Sequence, residues 1–153
     1  MPGKVQGIQK PKLALTVKQL RGRRRLLKLA EHLDTGKEGK LGHPVFDFSV
    51  INKGPYASDG CGTVGCALGE CPIVFKREWE FVNYHPLLRG GEVEDSFTSA
   101  EVFFSIAWRN AERLFAPLQS LPWSEKPLSP AATASEVAAN IRAFLTWEKM
   151  CFH

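Results

Sequence analysis

Three of the four cysteines of this 153-residue chain fall in one run, Gly60-Cys61-Gly62-Thr63-Val64-Gly65-Cys66-Ala67-Leu68-Gly69-Glu70-Cys71-Pro72. A cysteine can ligate a metal, attack an electrophile as thiolate, or fill a small apolar space. The spacing is C-x4-C-x4-C, with His43 and His85 as candidate fourth ligands. Structural zinc favours ligand pairs two to four residues apart across a tight turn. On a helix, Cys61 and Cys66 would sit roughly 140° apart and would not converge on one ion. The spacing also differs from the common iron–sulfur patterns, so no metal and no other cofactor is expected.

A thiol nucleophile is the second option. Cys61 lies between two glycines ahead of a helix-compatible stretch, where unpaired amides and the helix dipole favour the thiolate. Cys66 is the weaker candidate, and His85 or His43 would serve as base. That combination would make a thiol-dependent hydrolase or transferase. The third option is packing. Val64, Cys66, Ala67 and Leu68 would form a tight core helix, with Gly65 and Gly69 opening a contact groove and Cys71-Pro72 ending it. Buried cysteine behaves as a small apolar residue, and this is the reading adopted for the segment.

Cys61, Gly62, Thr63, Cys66 and Gly69 form a Cys-Gly-Thr-x-x-Cys-x-x-Gly core. Together with Phe103-Phe104, the run Ala111-Glu112-Arg113-Leu114-Phe115 and the helix opening Ser135-Glu136-Val137-Ala138, it resembles a group of small uncharacterised proteins of bacteria and their phages. The resemblance spans residues 24–145 and leaves out the N-terminal basic residues. It implies a phage-related setting and carries no activity. Those proteins often place an aromatic residue after the final glycine, where this chain has Glu70.

Charge gives a separate signal. Nine of the 20 Lys and Arg residues lie within residues 1–30, which contain no acid, and all 16 Asp and Glu residues follow from Glu31 onward. The net charge of +4 therefore hides a basic arm on a mildly acidic body. Such an arm suits phosphates or an acidic protein surface. Arg21, Arg23, Arg24, Arg25 and Lys28 are the binding candidates. On a helix, Arg21, Arg25, Lys28 and His32 would form one cationic stripe.

The elements that must position these residues follow from periodicity. Leu26, Leu29, Ala30 and Leu33 predict a helix over about 23–33, with Gly22 separating it from Val17 and Leu20. Phe46, Phe48 and Val50 alternate with polar residues and predict a strand; 73–75 and 79–82 are weaker strand candidates. Thr98-Ser99-Ala100-Glu101 reads as a capping box for a helix to Phe115, either deeply buried in its first half or broken near Ser105. Residues 118–130 read as a proline-rich linker in which Trp123 could anchor a partner. Thr133-Ala134-Ser135-Glu136 opens a last helix to about Met150. Glu92, Glu94 and Asp95 read as a solvated turn.

No phosphate-binding loop and no G-x-S-x-G elbow is present. No apolar run approaches the roughly 20 residues needed to span a bilayer, and no membrane partner is expected. The expected architecture is a helix-rich α+β fold of three to four helices with a few short strands. Residues 1–22 form the basic arm and 23–153 one globular domain. The expected function is a non-enzymatic, cytoplasmic interaction module whose arm contacts nucleic acid or an acidic protein. The thiol enzyme, or a subunit of a larger assembly, is the alternative.

Overall fold

A computed structural model describes residues 15–42, 45–48, 64–83, 85–90 and 95–150. Helix α1 spans Val17–Asp34. Thr16 starts it through a capping box: its hydroxyl accepts from the Gln19 amide at 3.1 Å, and the Gln19 side chain accepts from the Thr16 amide at 2.9 Å. The inner face of α1 buries Gly22, Leu26, Leu29, Ala30 and Leu33. Residues 17–22, read from the sequence as part of the arm, continue this helix without a break. A glycine inside a helix costs about 1 kcal/mol relative to alanine. At Gly22 the missing side chain lets two backbones meet, because a Cβ there would overlap the Phe104 carbonyl. The glycine is a packing device, not a separator.

A 3-10 turn, Thr35–Glu38, follows, and Gly39 leaves it with φ +71°. Strand β1, Val45–Phe46, pairs in parallel with β2, Val64–Gly65. The cysteine-rich run is therefore not the single core helix expected. Within it, β2 gives way to a 3-10 turn at Leu68–Glu70 and then to the one-turn helix α2, Cys71–Val74. Cys71-Pro72 begins a helix where an end was expected. Proline fits a first turn, since its missing N–H would have no intrahelical partner there. The tight burial expected for the segment does hold from Cys66 to Pro72.

Strands β3 (Trp79–Val82) and β4 (His85–Leu88) form an antiparallel hairpin with Trp79 opposite Leu88. Pro86 is tolerated in β4 because a two-stranded sheet leaves each strand one unpaired edge. Residues 73–74, a strand candidate in the sequence, belong to α2. Helix α3, Ser96–Phe104, is capped by Asp95, whose carboxylate accepts from the Thr98 amide at 2.7 Å and the Thr98 hydroxyl at 2.6 Å. The cap thus sits three residues before the expected Thr98. Ser105 adopts φ +54° and divides α3 from α4, Trp108–Phe115.

The last helix, α5 (Ala134–Met150), starts with the expected box: the Thr133 amide donates to the Glu136 carboxylate at 2.8 Å, and the Glu136 amide donates to the Thr133 hydroxyl at 3.1 Å. Helices α5 and α3 both pack against α1. Leu26, Leu29, Leu33, Phe104, Phe115, Ile141 and Phe144 are fully buried between these helices. The fold is a helix-rich α+β single domain. Among the described residues no helix is long and apolar enough to cross a membrane.

Trp123 does not present an exposed anchor. Its ring packs on Phe144 and Trp147, and its indole N–H donates to the Asn140 side chain at 2.6 Å. The Asn140 amide in turn donates to the Arg113 carbonyl at 3.2 Å, so the linker is sewn to α4 and α5.

Candidate anion-binding groove

The positive charges of α1 do not share one environment. Arg23 points toward α5, pairs with Glu148, and also donates to the Leu145 carbonyl at 3.2 Å. Arg25 points toward α3. Its guanidinium donates to the Phe103 carbonyl at 2.9 Å and lies 3.9 Å from the centre of the Phe103 ring. It thereby satisfies a carbonyl in the last turn of α3, where cations are also favoured by the helix dipole. Arg21, Arg24 and Lys28 make no ion pair among the described residues.

These three, with Arg25, form one wall of a groove of 480 Å³. Their spacing of i, i+3, i+4 and i+7 places them on one side of the helix. The opposite wall is the turn after α2, carrying Lys76, Arg77 and Glu78, and the flank is lined by Ile73, Val74 and Phe75. Six cations thus face the groove against one carboxylate. Burial, and then the neighbouring Arg21, lower the pKa of Arg25, with Glu78 acting in the opposite sense. Lys28 lies 5.6 Å from the centre of the Phe75 ring, a cation–π contact.

The second wall is held rigidly from behind. The Glu78 amide donates to the Phe75 carbonyl at 3.1 Å, and the Arg89 amide donates to the Glu78 carbonyl at 2.8 Å. The Arg89 side chain donates to the Lys76 carbonyl at 3.1 Å and pairs with Glu80 at 3.3 Å. Lys76 and Arg77 were not among the candidates drawn from the sequence. Their signal was a Lys-Arg-Glu triplet between two apolar residues, Phe75 and Trp79, and only the chain path shows that it faces α1.

His32 leaves the expected stripe. Its Nε2 lies 2.7 Å from the carboxylate of Glu70. Glu70 is fully buried and also accepts from the Gly42 amide at 2.6 Å. A carboxylate can be buried when hydrogen bonds replace its water. Glu70 ties α1 to the segment at Gly42 and to the 3-10 turn, so His32 serves that junction and not the groove.

Of the thiol candidates, Cys61 and His43 lie outside the described residues. Cys66 is buried and its sulfur accepts from the Gly69 amide at 3.3 Å. Cys71 is fully buried; burial, and then the nearby Cys66 and Glu70, push its pKa well above the ordinary thiol value. It is held as the thiol at neutral pH, which suits packing rather than nucleophilic attack. His85 is half-buried on β4. Among the described residues, no group of three or more His, Cys, Asp or Glu side chains is arranged to hold a metal ion.

No protein-family model, curated protein or solved structure matches this chain.

Proposed function

We propose that the protein is a non-enzymatic interaction module that grips the phosphate backbone of nucleic acid in the groove between α1 and the 75–78 turn. The observation that carries this reading is the set of five cations there, Arg21, Arg24, Lys28, Lys76 and Arg77, that make no ion pair among the described residues. Like charges three and four residues apart on a helix destabilise it. Apart from the contact of Lys28 with the Phe75 ring, no interaction among the described residues offsets that repulsion, whereas an anion between the two walls would.

The charge spacing supports a nucleic acid over an acidic protein face. From Arg21 to Lys28 the helix advances about 10 Å at about 1.5 Å per residue. A duplex presents roughly six phosphate charges over that length counted over both strands, about three on each strand at about one per 3.4 Å. A raised sugar–phosphate ridge can reach both walls at once. Phe75, the aromatic residue of the flank, is buried, so the groove offers no open ring for base stacking and binding would be insensitive to sequence.

The test is fluorescence anisotropy with a labelled duplex, a single strand and a polyglutamate peptide, at about 50 and 200 mM salt. With about three phosphates of one strand neutralised, duplex affinity should fall roughly fortyfold, from the slope of about −0.9 expected for each contact. The double variant Lys76→Gln/Arg77→Gln should lose about two contacts' worth of that slope. Stronger binding to polyglutamate than to either nucleic acid would replace this reading with the acidic-protein one.

A further inference from the structure

We propose that Glu78 is a built-in competitor of the bound phosphate, a carboxylate lining the groove that keeps the affinity of the module low and reversible. The inference rests on the groove being the phosphate site. Glu78 is the one acid among the groove's lining residues, and it makes no ion pair among the described residues. Its place is not an accident of a loose loop. Its amide is bound to the Phe75 carbonyl and its own carbonyl to the Arg89 amide, so the backbone on either side is anchored. Burial, and then Arg21, lower the pKa of the Arg25 guanidinium, and the Glu78 charge offsets part of that lowering.

A phosphate entering between the walls meets this fixed negative charge together with the cations. The repulsion subtracts from the attraction wherever the ligand sits. One unit charge at about 4 Å in a water-like medium is worth roughly a fivefold change in affinity. Salt screens an exposed charge of this kind, with a Debye length of about 8 Å at physiological ionic strength.

The experiment titrates a short labelled duplex against the wild-type protein, Glu78→Gln, Glu125→Gln and Lys76→Gln/Arg77→Gln. Glu125 is exposed in the linker between α4 and α5 and does not line the groove, so it serves as the charge-matched control. Glu78→Gln should bind about three- to fivefold more tightly at low salt, and the gain should close as salt rises. Glu125→Gln should leave the affinity unchanged. Glu78→Gln should stay folded and melt at or slightly below the wild type, since it loses a favourable charge interaction with Arg25. Affinity in Glu78→Gln equal to or weaker than wild type, with binding still lost in Lys76→Gln/Arg77→Gln, would overturn this inference and leave the groove reading standing. Undiminished binding in the double variant, or no duplex binding by the wild type, would remove the groove reading and this inference together.

Discussion

Arg23, Arg24 and Arg25 are consecutive in the chain, yet the fold treats the outer two differently from the middle one. Arg23 is absorbed by α5 through Glu148 and the Leu145 carbonyl, and Arg25 by α3 through the Phe103 carbonyl and ring. Arg24 is exposed, and with Arg21 and Lys28 it faces the groove without a carboxylate partner. A helix turning 100° per residue sends neighbours to different surroundings, so one basic run supplies both fasteners and ligand contacts. A charge with a partner inside the fold is explained by stability. A cluster without one calls for an explanation outside it.

The comparison can be broken first at its inner face. Gly22→Ala would drive a methyl group into the Phe104 carbonyl. It should destabilise the protein by at least about 3 kcal/mol, read as the urea midpoint. A small effect would mean that α1 and α3 do not approach as closely as described. Arg23→Ala comes next, at about 2 kcal/mol near neutral pH, because it leaves the mostly buried Glu148 without its cation.

That loss should depend on pH in a definite direction. Burial raises the pKa of Glu148 above its ordinary 4.5, while the charge and hydrogen bond of Arg23 act to lower it. A carboxyl with a raised folded pKa binds its proton more readily when folded, so its effect favours folding as pH falls from neutral toward 4.5. Without Arg23 the pKa rises further. The Arg23→Ala deficit should therefore be largest at neutral pH and shrink on acidification, as measured by melts across that range. A deficit that grows toward acid would contradict the assignment. Arg25→Ala should cost about 1.5 kcal/mol through the lost hydrogen bond and ring contact, in the same urea assay.

How much of this could be read from sequence depends on whether the cause is local. The Thr133–Glu136 box was legible because both partners lie within one turn, and so was the α1 core stripe from Leu26 to Leu33. The break at Ser105 was visible as an alternative because apolar residues encircle the helix around it. The role of Gly22 was not legible, since its reason is the α3 backbone, far away in the chain. The same holds for His32, drawn off the stripe by Glu70, and for Trp123, drawn inward by Asn140. In the cysteine-rich run, small residues signalled close packing but not the form of the backbone, because a parallel pairing with Val45–Phe46 depends on a distant partner. Half of the groove was legible as the charge bias of residues 1–30. The other half, Lys76 and Arg77, became visible only when the turn after α2 was placed against α1.

The thiols provide a smaller check on the same division between use by the fold and use by a ligand. Cys66 and Cys71 should react with an alkylating reagent at neutral pH only after denaturation, since both are buried and Cys71 is held protonated. Rapid native-state labelling of either, followed by mass spectrometry, would contradict the packing role of these two thiols.

The most direct test of the division within α1 is the urea unfolding of Arg21→Gln/Arg24→Gln beside the wild type. Glutamine matches arginine closely in helix propensity, so the substitution removes charge with little else. The account predicts equal stability or a gain of a few tenths of a kcal/mol from relieved repulsion. A loss of more than about 1 kcal/mol would contradict it, because these cations would then belong to the fold, as Arg23 and Arg25 do.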